Sequence, residues 1–538
     1  MVAQTEYDVV IVGAGAGGGT IACVLAEAGK RVLLLERGTQ QGFKETGRDH
    51  LRNQRLSQYG NNAGPNGPNE PRVFVDFRTG HQRTVLPHEG GYHNNAAVVG
   101  GGTLVYGGQA WRFTPTDFRM ASTYGVPPGS SLADWPIGYD DLAPFYERVE
   151  HELGVCGRSS EMTHLPSYQA DYPLPPQELN RQGQVLRRGL AHLGWDALSV
   201  PLAINSQPYQ NRPACIRCQH CVGFACPVNA KNGTQNTFLP RALQTGNATL
   251  LTGVLAERIE QSGGRVWGVT YRDTQTGTQT TVRASVVVAA GGAVETARLL
   301  LSSGLGNNHV GRHLQGHYYP GATARFAEPV WDGLGPGVTT ATCKWIHNNP
   351  GIIGGGMLAD EFIPLPITFW KRHTPPHLPR WGQAAKNWMR EHYRFVTDVK
   401  GPVQEIPSPD SRVSLDENVR DKWGNSVARL GGATHEETVR TSAFMHDRAV
   451  EWLQAAGAVE IWGGYPQKGL SGGQHQAGTC RMSDDPEAGV TDRFCRVHGQ
   501  DNLYLGDGSV HVTNGPFNPF LTIMALAYRT ADHICQSW

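Results

Sequence analysis

"YDVVIVGAGAGGGTIACVLAEAGKRVLLLERG", residues 7–38, changes its pattern twice in one stretch. The apolar run at 8–12 has the length and β-branched content of a buried strand. After a glycine-rich turn, residues 17–28 read as a buried helix, and residues 31–36 as a second strand. Strand, helix and strand in this order make a βαβ unit and set an α/β fold. Gly13, Gly15 and Gly18 form GxGxxG at the turn. The first permits the tight bend, the second lets a pyrophosphate sit at the helix N-terminus, and the third lets helix and strand pack closely. Glu36 closes the second strand at about 20 residues' distance, where a carboxylate accepts hydrogen bonds from a ribose. The stretch specifies a dinucleotide without distinguishing FAD from NAD.

The bulk numbers bound what surrounds this unit. At 538 residues the chain exceeds one compact core. Lys plus Arg and Asp plus Glu both number 47. That balance argues against a nucleic-acid or acidic-membrane partner, each of which needs a basic face. The 67 glycines gather in short patches without a repeat period, as where backbone must approach something closely. The one apolar stretch resembling a leader or membrane span, residues 9–28, follows Glu6 and Asp8 and is broken by glycines. No membrane span and a cytoplasmic location are therefore expected.

Four further blocks follow in order: "NNAAVVGGGTLVYGGQAWR" (94–112), "VVVAAGGAVETARLLLSSG" (286–304), "VGRHLQGH" (310–317), and "HQAGTCRM" (475–482) with "NLYLGDGSVHVTNGPFNPFLTIMALAYRTADHI" (502–534). With the first unit they resemble, block by block, the glucose-methanol-choline (GMC) family of FAD-dependent oxidoreductases. The resemblance implies a Rossmann-like FAD-binding domain from residues 1–153, 251–316 and 472–538. Interleaved with it would be a substrate domain and cap on an antiparallel sheet, from 154–250 and 317–471. It places Gly101 and Gly102 along the isoalloxazine and pyrophosphate, and Val254 where backbone meets the adenine. Asp507 and Gly508 fall at the phosphate and ribityl region, and the Phe520 amide at the pyrimidine edge. Gly291 and Gly292 would end a strand beneath the nucleotide.

Alcohol oxidation needs one group to take the hydroxyl proton and another to hold the oxygen while hydride leaves for flavin N5. His475 matches the family's catalytic histidine and Asn518 the second member of its pair. An imidazole accepts a proton near neutral pH and an amide only orients, so His475 is the expected base. His93, His317, His498 and His511 read as packing or supporting residues. Some branches tether FAD covalently through a histidine after the glycine run. Here Leu104, Val105 and Tyr106 stand in that block, so noncovalent FAD is expected, with Tyr106 beside the flavin.

Residues 109–126 and 134–155 resemble the catalytic subunits of bacterial FAD sugar dehydrogenases within the family. A sugar, glycoside or polyol is thus the expected substrate, with electrons passing to an external acceptor such as a partner protein. The alternatives are an oxidase that reduces dioxygen to hydrogen peroxide and a flavin electron-transfer subunit without substrate chemistry. Residues 349–370 have the apolar alternation of a strand, and Gln404 and Glu405 are polar enough to meet hydroxyls. "CIRCQHCVGFACP" places Cys215, Cys218, Cys221 and Cys226 in the spacing C-x2-C-x2-C-x4-C-P. Its last gap is one longer than in the ferredoxin run. An iron-sulfur cluster, structural zinc, disulfides and free thiols are the readings open to it, and the sugar-dehydrogenase resemblance implies the cluster.

Overall fold

The computed structural model describes residues 6–47, 64–93, 96–166, 171–361, 364–471 and 473–538. Asn94 and Asn95 of the second block and Gly472, the first residue of the expected carboxyl-terminal segment, lie outside these. The opening unit forms as its pattern dictates: β1 is Glu6–Val12, α1 is Ala16–Glu27 and β2 is Val32–Glu36. All ten residues from Gly17 to Ala26 are uncharged and buried, so α1 is a central helix rather than an amphipathic surface one.

β1 and β2 run parallel at the heart of a seven-stranded sheet. Ala248–Thr252 adds to β2, and the long strand Gln279–Ala289 adds to β1, both parallel. The far half of that long strand carries Leu503–Leu505, again parallel, while its near half carries an antiparallel hairpin, Val254–Ser262 with Arg265–Asp273. Three strands that meet side by side thus come from the two ends and the middle of the chain. Helix Ala293–Ser303 packs against strand Val254–Ser262, and helix Phe520–Gln536 packs on α1. Val9, Ile11, Leu34, Val287, Leu300 and Met524 belong to the one apolar core that joins them.

A second sheet of six strands takes its members from 198–199, 321–326, 340–342, 358–360, 396–400 and 458–463, and its pairings are antiparallel. Helices Arg181–Leu193 and Glu436–Ala455 lie on it, burying Trp452, Leu186 and Met445 in a separate core. A small four-stranded sheet ties 72–75 and 82–85 to 412–420 and 426–431. Among the described residues of 349–370, where a strand is expected, only Leu358–Asp360 is one, and residues 362 and 363 lie outside the described set. Residues Pro366–Arg372 are helical instead, since Pro366 has the backbone angle of a first helical turn and no amide to offer a sheet.

Candidate active site

The carboxyl ends of β1 and β2 open into a cavity of about 760 Å³. Gly13, Gly15, Glu36, Gly101, Gly102, Val254, Asp507, Gly508 and Phe520 all line it, and so do His475 and Asn518. Of the expected cofactor residues only Gly18 is set back. A methyl there would strike the Gly13 carbonyl, so its role is the close packing of α1 on the turn. Gly13 itself has φ +103°, a conformation that side chains disfavour.

Glu36 holds this end rigid. One carboxylate oxygen accepts from the Ala14 amide at 2.9 Å and the other from the Gly38 amide at 2.8 Å. Burial pushes its pKa up, while the same amides and Arg37 pull it down. Each oxygen keeps a second lone pair for a hydroxyl. Asp507 is fixed in a similar way: it accepts from the Gly292 amide at 2.9 Å, the Thr296 hydroxyl at 2.5 Å and the Ser509 amide at 2.8 Å. These bonds lock the turn after Leu503–Leu505 onto the start of helix Ala293–Ser303. The neck of the cavity is therefore bare backbone at a helix N-terminus with a carboxylate beside it, which suits a pyrophosphate and ribose.

Farther in, Tyr106 stands edge-on to Phe520 with ring centroids 4.9 Å apart, and its hydroxyl donates to the Asn232 carbonyl at 2.5 Å. Beyond them His475 and Asn518, the expected pair, meet. Asn518 Nδ2 lies 3.5 Å from His475 Nε2 and 3.0 Å from Tyr319 Oη. Asn518 Oδ1 is buried and has no partner among the described residues. His475 has φ +60°, and its carbonyl accepts from Asn514 Nδ2 at 2.7 Å. A non-glycine residue held in that region marks a place where the fold overrules local preference. On the other side of its ring, His475 Nδ1 is 2.9 Å from His317 Nδ1 and 3.4 Å from Tyr319 Oη.

The outer wall carries charge. Lys400 Nζ sits 2.9 Å from Asp398 and 3.7 Å from Glu361, and His373 Nε2 is 3.2 Å from Asp398. Burial alone would raise the Asp398 pKa, but Lys400 and His373 outweigh it and hold the carboxyl below its ordinary range. Gln404 and Glu405 are buried, and neither is on the cavity wall: Glu405 accepts from the Gly316 amide at 2.8 Å and the Ser471 hydroxyl at 2.7 Å.

The expected metal site is not formed. Cys215, Cys218, Cys221 and Cys226 are free, and among the described residues no group of three or more His, Cys, Asp or Glu side chains could hold an ion. The loop is organised around a different group. The buried Lys231 ammonium donates to the carbonyls of Tyr106 and Phe224, both at 2.8 Å, and to that of Cys221. Burial raises the thiol pKa values of Cys215, Cys218 and Cys221.

A cavity running from a dinucleotide turn to a paired imidazole and amide defines a dinucleotide-dependent oxidoreductase. The amino-terminal and carboxyl-terminal profiles of GMC oxidoreductases match residues 15–319 and 407–527, and the chain belongs to that family. It is 29% identical to a 2-methyl-1,2-propanediol dehydrogenase of Mycolicibacterium austroafricanum, over 99% of this chain and 95% of that protein. It is 30% identical to the 6'''-hydroxyparomomycin C oxidase of Streptomyces lividus, over 99% and 92%. It is 26% identical to the fructose dehydrogenase large subunit of Gluconobacter japonicus, over 98% and 97%. A substituted formate oxidase of Aspergillus oryzae, a structure concerned with FAD modification, superposes with a TM-score of 0.67 at 15% identity, over 99% and 98% of the two chains. FAD is the cofactor this family and this cavity fit.

Sequence reasoning missed Tyr319, Arg37, Lys400 and His373. Tyr319 follows the "VGRHLQGH" block by two residues and Arg37 follows Glu36 in the opening stretch, signals that could have found them; Lys400 and His373 had no local mark.

Proposed function

We propose that the protein oxidises an alcohol group of a sugar, glycoside or polyol to a carbonyl and delivers the electrons to an external acceptor. The observation that carries this reading is the His475–Asn518 pair, 3.5 Å apart on the wall of the cofactor cavity. His475 takes the hydroxyl proton. Asn518 and Tyr319 hold the substrate oxygen, and the ring pair Tyr106–Phe520 walls off the reacting face from water. The flavin, when bound, supplies the hydride acceptor. A diol dehydrogenase and a fructose dehydrogenase subunit among the relatives support both the substrate class and the acceptor.

An oxidase that releases hydrogen peroxide is the second reading, favoured by the paromomycin-type oxidase relative. A flavin subunit without substrate chemistry has no use for the His475–Asn518 pair, which cofactor binding does not require. Anaerobic mixing with sugars, glycosides, polyols and simple alcohols, followed by flavin absorbance, tests the proposal. At least one of them should bleach the flavin, and failure of all of them would overturn it. Peroxide formed in air would select the oxidase.

The FAD is held without a covalent bond. The side chains of Leu104 and Val105 are inert, and the Tyr106 hydroxyl is engaged by Asn232. Acid or heat denaturation should release a free yellow cofactor, whereas flavin remaining with the precipitated chain would contradict this.

No helix among the described residues is long and apolar enough to cross a membrane.

A further inference from the structure

Resting on the assignment of His475 as base, we infer that His317 is a positioning residue that fixes the tautomer of His475, keeping the proton on Nδ1 and leaving Nε2 as the accepting nitrogen. The argument runs from the outside inward. His317 Nε2 faces two carbonyl oxygens, Asn514 at 3.1 Å and Gly515 at 2.8 Å. Carbonyls only accept, so His317 Nε2 carries a hydrogen. His317 is buried, and burial lowers its pKa to about 4, so at neutral pH it has that one ring hydrogen and no other. Its Nδ1 is then an acceptor. Across 2.9 Å stands His475 Nδ1, which must be the donor.

A neutral imidazole with its hydrogen on Nδ1 presents a lone pair at Nε2. That nitrogen is the one 3.5 Å from Asn518 Nδ2, a donor that can face only an acceptor. The His317 and Asn518 contacts of the His475 ring thus require the same tautomer. The opposite arrangement is available locally, because the Tyr319 hydroxyl, 3.4 Å from His475 Nδ1, can donate to that nitrogen and so favour a hydrogen on Nε2. His317 decides between them. When His475 takes the substrate proton on Nε2, its Nδ1–H keeps its acceptor, and no other proton has to move. The strained backbone of His475 and the Asn514 side chain, which bonds the carbonyls of both His475 and Gly316, hold the two rings in this register.

The test is nitrogen NMR of holoenzyme labelled with ¹⁵N-histidine at neutral pH, with His475 identified by the signals lost in His475→Gln. A protonated Nδ1 and an unprotonated Nε2 at His475 are expected, and the reverse pattern overturns the inference without recourse to any other variant. The second arm is anaerobic flavin reduction by a substrate from the panel. His317→Phe removes the acceptor and should slow reduction by about 10²- to 10⁴-fold, the scale of losing a correctly protonated base. His317→Asn, whose amide oxygen falls near the Nδ1 position, should recover to within about tenfold of the parent. If His317→Phe keeps the parent rate while His475→Gln is inactive, the tautomer role is wrong and the base assignment survives. A His475→Gln variant reduced at the parent rate removes the reading on which the inference rests.

Discussion

The two ends of the cavity are built from different materials. The nucleotide end is mainly backbone: the glycine turn, the start of α1, and amides held by Glu36 and Asp507. The alcohol end is side chain: His475, Asn518, Tyr319, Lys400 and His373, gathered from segments distant in sequence. The glycine turn and Glu36 come from one continuous stretch, and the rest of the backbone cradle comes from short blocks around 101–102, 291–292 and 507–508, each specified by its own local geometry. A side-chain constellation needs several elements to arrive together, and its cost is visible as strain at His475.

The largest effect that can separate the two ends is removal of the proposed base. His475→Ala should retain FAD and lose flavin reduction by several orders of magnitude, because general base catalysis contributes about 10²- to 10⁴-fold and misorientation adds to that. Stopped-flow absorbance under substrate reads it directly. Asn518→Ala, which removes a holder and not the base, should remain slow but measurable. A His475→Ala protein that lost its flavin would show that the ends are not independent.

Gly17 offers the converse break. A methyl at this position would run into the carbonyl oxygen of Gly506, just before Asp507, where neither backbone can yield cheaply. Overpacking of this kind costs about 1–3 kcal/mol. Gly17→Ala should therefore be isolated largely without flavin and with a lowered unfolding midpoint, and full flavin content would refute it. Glu36→Gln is milder. Its amide keeps one acceptor for Ala14 or Gly38 and turns a donor toward the other, at about 1–2 kcal/mol, or about tenfold in FAD affinity by fluorescence titration.

The same division explains what the sequence revealed. β1, α1 and β2 form within a residue or two of where periodicity put them, since each is specified by its own neighbours and by burial on both sides. His475 and Asn518 were legible only because each sits in an extended motif. His317 also lies in one, but its meaning depends on Asn514 and Gly515 almost 200 positions away, and no local pattern carries that. Residues 349–370 misled for a related reason: the apolar alternation is real, but Pro366 turns its second half into a helix on the cavity wall.

The smallest effect belongs to the cysteine loop, which touches the cavity only through Val222. Its spacing invites a cluster, and three ligands two residues apart could converge if their sulfurs turned to one point. The fold gives the loop another centre. Lys231 draws three carbonyls around its ammonium, and the Gly223 amide donates to the Val105 carbonyl at 2.7 Å, pinning the loop to the segment that carries Tyr106. A cation in that place supports backbone dipoles without needing thiolates, and burial pushes the thiol pKa values of Cys215, Cys218 and Cys221 up. Protein purified without air should accordingly contain neither iron nor acid-labile sulfide in stoichiometric amount, and its cysteines should titrate as thiols after denaturation. Cys218→Ser, at a half-buried position, should change stability by less than about 1 kcal/mol and leave flavin reduction at the parent rate. Lys231→Met should be the damaging change in this loop, because it leaves three carbonyls without a donor. Iron with sulfide, or a Cys218→Ser protein that binds flavin but no longer passes electrons to an acceptor, would show that the loop reorganises around a cluster and that its spacing, not its lysine, defines it.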